Sequence, residues 1–134
     1  MPAANLLNSQ TLQATIGVAA GANRLFAITG VASVSTFVSP GQTKSETWVV
    51  KIGPVLTRPQ FHQAVATAAV TGFSFSTQAV PLSYNFSVAS VEADWDDESG
   101  QVELRIELLA ASSSPGPSLG ISSLSFSATI LAEL

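Results

Sequence analysis

Cysteine is absent from this 134-residue chain, and histidine occurs once, at His62. Without cysteine there is no disulfide framework, no thiol nucleophile, no thiolate zinc site and no iron–sulfur cluster. A single histidine also excludes a multi-histidine transition-metal site within one chain. The sequence therefore gives no reason to expect a metal or any other cofactor.

Charge is scarce as well: 10% of the residues are charged, five basic and nine acidic, where a soluble domain usually carries about 25%. The basic residues are scattered and form no stripe that could neutralise several phosphates, so nucleic-acid binding is not expected. No window reaches ~18 apolar residues, so a membrane-spanning helix is not expected either. The N-terminal residues lack the basic and long apolar regions of a secretory signal, and nothing in the sequence assigns a compartment.

The scarcity of charge leaves most of the protein surface without charged side chains. A compact monomer of this mass exposes roughly 6,600 Å², and so few charged side chains cover only a small part of it. Large exposed apolar areas usually mark interfaces, so we expect a closed homo-oligomer, a trimer or a dimer. We expect residues 24–38 and 121–134, which are mostly small and apolar, to lie in the contact. The acidic residues 96–98 should stay in water, because desolvating several like charges is costly.

Period-two alternation runs through much of the sequence and predicts strands. It is clearest over residues 84–110, where apolar and charged residues alternate after the acidic connection 96–100. Gly100 suits a hairpin loop there. The apolar parity changes near residues 89–90, which predicts a β-bulge.

Further strands are predicted over residues 12–18, 24–38 (with a kink at Gly30), 46–55 and 121–134, with a turn at 19–23. On the strand 46–55, Trp48, Val50 and Ile52 share one face. The pattern predicts a mainly β fold of seven or eight strands, an antiparallel β-sandwich or jelly-roll-like barrel that forms one domain over residues 1–134.

One segment has helical features. Thr57 to Gln60 matches a capping box with proline in the first turn, and apolar residues follow at helical spacing. This predicts one short helix over about residues 58–71, which Gly72 could end. The alternative is a strand over residues 64–71.

Five residues are candidates for ligand binding: Trp48, Trp95, Asp94, Asp96 and His62. An aromatic face such as that of either tryptophan can pack on the apolar side of a sugar ring, although tryptophans more often anchor a core or an interface. The carboxylates offer oxygen ligands of the kind that Ca²⁺ takes, but their spacing is not that of an EF-hand, so they are interpreted as a solvated hairpin tip.

Catalysis is not expected. Glu103 and Glu107 lie about 13 Å apart on one strand, farther than the carboxylate pair of a glycosidase. His62 could act as a general base, but no Gly-x-Ser-x-Gly motif is present. The leading hypothesis is a non-enzymatic, oligomeric structural or binding module, such as a coat, decoration or surface-assembly subunit. The alternative is a carbohydrate-binding β-sandwich.

Overall fold

The computed structural model describes residues 1–16, 23–76 and 83–134. These residues form seven strands and no helix, in two antiparallel sheets with the orders β1-β2-β7-β4 and β3-β6-β5. The strands are β1 (Asn5–Ile16), β2 (Asn23–Val38), β3 (Thr43–Ile52), β4 (Phe61–Phe75), β5 (Tyr84–Trp95), β6 (Val102–Ser112) and β7 (Leu119–Glu133). The predicted β-sandwich is confirmed, and the jelly-roll topology stays a prediction.

The core lies between the two sheets and is built by alternation. Alternate residues of the central strands β2 (from Phe26), β6 and β7 (from Leu124) point inward and are buried, as are the predicted Trp48, Val50 and Ile52 of β3. Across the core, β2 faces β3, β7 faces β6 and β4 faces β5. The smaller sheet ends at β3, so none of the described strands lies beneath β1, and every residue of β1 is exposed.

The predicted hairpin is confirmed as β5 and β6. Their register shifts between Val88 and Ser90, where the sequence predicted a bulge. Gly100 has a φ of 72°, the left-handed conformation that the hairpin loop requires. The bulge returns Val91 to the core side, so both halves of β5 contribute apolar residues to it.

The helix predicted over residues 58–71 is wrong, because residues from Phe61 onward form β4. The capping motif exists only as a turn: the side-chain oxygen of Gln60 accepts a 2.8 Å hydrogen bond from the backbone N–H of Thr57. After this turn the chain pairs with β7 along its length. Ala64, Ala66, Ala68 and Val70 then pack against the core at period two. This long-range pairing overrides the helix preference of the alanines.

The register of β2 with β7 shifts between Ser33 and Thr36 and not at Gly30, and the kink predicted at Gly30 stays a prediction. Gly30 is a close-packing position. A Cβ atom there would lie 2.5 Å from Cζ of Phe126 and 2.8 Å from the carbonyl oxygen of Asn8. The predicted strand over residues 12–18 corresponds to β1, with its last two residues outside the described part of the chain. Most of the turn predicted at 19–23 also falls outside it.

Candidate functional site

The structure brings three of the five candidate residues together and places the other two, Trp48 and His62, elsewhere. Trp48 lies in the core with 8% of its surface exposed, and its Nε1–H donates a 2.7 Å hydrogen bond to Oγ1 of Thr36. That hydroxyl in turn donates to Glu46. Trp48 therefore ties β3 to β2 across the sandwich and offers no ring face to a ligand.

His62 lies far along the larger sheet, at the start of β4. Its Nε2 is 3.2 Å from Oε2 of Glu133 on β7, and among the described residues no serine hydroxyl hydrogen-bonds to it. The Ser–His–acid arrangement that nucleophilic catalysis needs is therefore not assembled around His62 by the described residues.

The other three candidates meet at one shallow cavity on the outer face of the smaller sheet. The cavity is lined by Glu92, Asp94, Trp95, Asp96, Asp97, Glu103 and Arg105. Trp95 contributes little free surface, because its Nε1–H donates to the carbonyl oxygens of Leu56 and Gly100 and the guanidinium of Arg58 lies 5.7 Å from its ring centroid.

Most of the polar groups in this cavity already have partners. The side chain of Asp96 accepts hydrogen bonds from the hydroxyl of Ser99 at 2.6 Å and from its backbone N–H at 3.0 Å, and it pairs with Lys51 at 3.3 Å. These contacts, the serine hydroxyl first, lower the pKa of Asp96 below its ordinary value. Asp96 therefore closes the hairpin loop through its own local contacts.

Arg105 is held in the same way. Its Nε lies 2.9 Å from Oε1 of Glu103, and this hydrogen bond, together with the charge of Glu103, raises the pKa of the guanidinium. Within the described residues no group of three or more His, Asp or Glu side chains is arranged to hold a metal ion. The cavity is thus an acidic surface in which Asp96 and Glu103 have ion-pair partners.

The outer face of the larger sheet has the opposite character. The strands of the smaller sheet carry eight Asp, Glu, Lys and Arg residues, whereas those of the larger sheet carry two, Arg24 and Glu133. Arg24 lies opposite Thr15, on the inward side, and Glu133 lies at the end of β7. Apart from Glu133, the described strands of the larger sheet place no Asp, Glu, Lys or Arg on their outer face.

The strand registers define this uncharged face row by row. In antiparallel sheets, directly paired residues point to the same side. Four rows cross β1, β2, β7 and β4 in turn: Ala14–Leu25–Leu131–Gln63, Leu12–Ala27–Thr129–Val65, Gln10–Thr29–Ser127–Thr67 and Asn8–Val31–Ser125–Ala69. One end of the face is apolar and its middle is rich in hydroxyl groups.

Sequence reasoning expected the contact surface on residues 24–38 and 121–134. The structure places these segments side by side as β2 and β7, the central strands of the larger sheet. Sequence reasoning did not indicate that β1 and β4 flank these two strands and extend the same uncharged face. A signal for them exists: residues 1–23 and 59–91 contain no Asp, Glu, Lys or Arg, and they include both strands.

Comparison with protein-family models, with curated proteins and with solved structures finds no match for this chain. Within residues 1–16, 23–76 and 83–134, no helix is long and apolar enough to cross a membrane.

Proposed function

We propose that this protein is a non-enzymatic structural subunit that assembles with copies of itself through the uncharged face, the outer face of the larger sheet. The observation that carries the proposal is the segregation of charge between the two sheets. A sheet face that remains in water normally carries polar and charged side chains. Here one outer face does so, and the other carries apolar, hydroxyl and amide side chains along four strands, apart from His62 and Glu133 at one end.

The size of the uncharged face suits a stable contact. Four strands spaced by about 4.8 Å give a width of about 19 Å over about 26 Å of β2, from Leu25 to Ser33, where its pairing with β1 ends, and three strands continue for about 13 Å to Phe37. The face therefore covers about 700 Å², near the roughly 800 Å² that each partner buries in a standard interface. The accessible surface of the chain, 7312 Å², also exceeds the roughly 6,600 Å² expected of a compact monomer.

Apolar side chains strengthen this argument at both ends of the face. Leu12 is 76% exposed, Val65 is 57% exposed and Phe37 is 63% exposed. Burying apolar surface gains about 25 cal/mol per Å², so covering these side chains favours association. The hydroxyl groups between them can hydrogen-bond across a contact without the desolvation cost of ions.

A closed dimer or trimer can bury one such face on every copy. One flat face that meets itself across a twofold axis gives a dimer, and one that meets a different part of its neighbour around a threefold axis gives a trimer. In either arrangement the acidic hairpin tip on the smaller sheet stays in water. Such a subunit suits a coat, a decoration or another surface assembly, in which the charged sheet faces outward.

A matched pair of threonine substitutions tests the proposal. Thr129 lies on β7 within the uncharged face, between Ala27 and Val65, and Thr47 lies on the outer face of the smaller sheet, opposite Glu107. We expect Thr129→Lys to reduce the mass in solution to that of the monomer, because the new charge would have to be desolvated. Thr47→Lys should keep the wild-type mass. Equal masses for both variants and the wild type would contradict the proposal.

Carbohydrate binding is the second candidate. It is supported by the acidic cavity that Asp94 lines, since a carboxylate can accept hydrogen bonds from sugar hydroxyls. A glycan array with the wild type and Asp94→Ala tests it. Binding that Asp94→Ala abolishes would favour this function, and an array without signal would remove it.

A further inference from the structure

The two sheets differ in how their edges are protected. An edge strand exposes unpaired backbone N–H and C=O groups, and proteins usually guard such an edge with charges, proline, bulges or a covering segment. β3 is bridged by the N-terminal residues, since the Ala4 N–H donates to the carbonyl oxygen of Val49 and the Val49 N–H donates to that of Pro2. β5 carries Glu92, Asp94 and a bulge.

The edges of the larger sheet are less protected, and β1 is protected least. β4 is interrupted by three register shifts along its pairing with β7. β1 has one, near its start, and its residues 8–16 then pair regularly with β2. β1 contains no charged residue and no proline, and all twelve of its residues are exposed. Within the described residues, β1 pairs with β2 alone.

We propose that β1 pairs edge to edge, antiparallel, with β1 of a second copy of the chain. The two larger sheets then join into one eight-stranded sheet. Residues 8–16 allow about nine backbone hydrogen bonds, at about one per residue, which is within the range of about 10 ± 5 found in typical interfaces. The proposal deepens the assembly function and rests on it, but it uses a different surface.

Symmetry explains why a second β1 fits this edge. A twofold axis perpendicular to the sheet makes the two strands antiparallel and keeps both outer faces on the same side. The uncharged face then continues from one copy into the next, with Leu12 and Ala14 of each copy in the same surface. Neither strand carries a charge that would repel the other.

The two contacts together give more than a closed oligomer. The uncharged face closes a ring, and each ring would present several β1 edges to its neighbours. Edge pairing would then link rings into an extended array, as a coat or surface layer requires. Chains that make only the face contact would form closed oligomers and no extended array.

Introducing charges of either sign on β1 tests this proposal without changing the uncharged face. Thr11 and Gln13 lie opposite the buried residues Ile28 and Phe26, so they are on the inward side of β1. We expect the double variants Thr11→Lys/Gln13→Lys and Thr11→Glu/Gln13→Glu each to keep the mass of the closed oligomer. Each should fail to form the larger species that the wild type forms at high concentration, because like charges meet across the twofold axis.

Mixing the two variants is the decisive step, since opposite charges then meet. An equimolar mixture should recover the larger species, as measured by sedimentation velocity. A mixture that does not recover it would overturn the proposal and indicate a different partner for the edge, such as β4. Larger species that form equally in the wild type and in each variant alone would also overturn it.

Hydrogen exchange on the wild type keeps the test independent of the variants. The amides of residues 8–16 that point away from β2 should exchange more slowly as protein concentration rises, and unchanged exchange would contradict edge pairing.

Failure of the face contact and failure of the edge contact give different results. If Thr129→Lys keeps the wild-type mass while both double variants lose the larger species, the edge contact stands and the face contact fails. If both double variants match the wild type while Thr129→Lys is monomeric, the edge contact fails alone.

Discussion

Truncation of Leu104 probes which face of β6 packs into the core. Leu104 is fully buried and lies between Val50 on β3 and Ala93 on β5. Replacement by alanine removes three carbon atoms, whose burial is worth about 2.4 kcal/mol at about 0.8 kcal/mol each. Since both neighbouring strands are held by backbone hydrogen bonds, the site cannot collapse fully, and a cavity adds to the cost. We expect Leu104→Ala to lower the free energy of unfolding by about 3–5 kcal/mol.

Leu109→Ala is the matched control. Leu109 lies on the same strand but on its outer face, where 37% of its surface is exposed. The same atoms are removed, but no enclosed cavity forms, so we expect a loss below about 1.5 kcal/mol. Urea titration followed by tryptophan fluorescence measures both, at one protein concentration because dissociation of an oligomer also contributes to stability. Equal losses at the two positions would refute the assignment of faces.

Three further outcomes are expected. Gly30→Ala should destabilise by about 1–3 kcal/mol in thermal or urea unfolding, because its Cβ would press on the ring of Phe126; Phe126→Leu in the same chain should recover part of the loss, and no recovery would argue against this contact. The lowered pKa of Asp96 stabilises the fold at pH values above 3.8, the ordinary pKa of this side chain. This stabilisation is lost as the pH falls through the lower pKa of the folded state. Asp96→Asn should therefore flatten the acid side of the stability curve, and an unchanged curve would refute that role. Ca²⁺ at millimolar concentration should leave the melting temperature unchanged, and a rise of several degrees that Asp96→Asn abolishes would reveal a specific site.

Local patterns predicted the hairpin well. The alternation of Val102, Leu104, Ile106 and Leu108 defines the buried face of β6 from the sequence alone, and the parity change near residue 89 locates the bulge of β5. Both features depend on neighbouring residues in one chain segment. Their physical causes, the period of a strand and the extra residue of a bulge, are therefore visible without knowledge of the fold.

Features that depend on distant partners were not predictable in this way. The segment after Thr57 has a helical start signal, yet its pairing with β7 makes it a strand. Gly30 is explained by the ring of Phe126, nearly a hundred positions along the chain. The uncharged face combines residues of four strands, and its extent follows only from the order β1-β2-β7-β4. Composition and pattern pointed to residues 24–38 and 121–134, which are β2 and β7, but not to the flanking strands β1 and β4.

The mass of the wild-type protein in solution tests the central claim most directly. Light scattering at micromolar concentration should give two or three times the chain mass of 13.8 kDa, because the uncharged face is buried between copies. Dilution should lower the mass only when the closed oligomer dissociates. A single species of 13.8 kDa at every concentration would contradict self-assembly and would favour the carbohydrate-binding alternative.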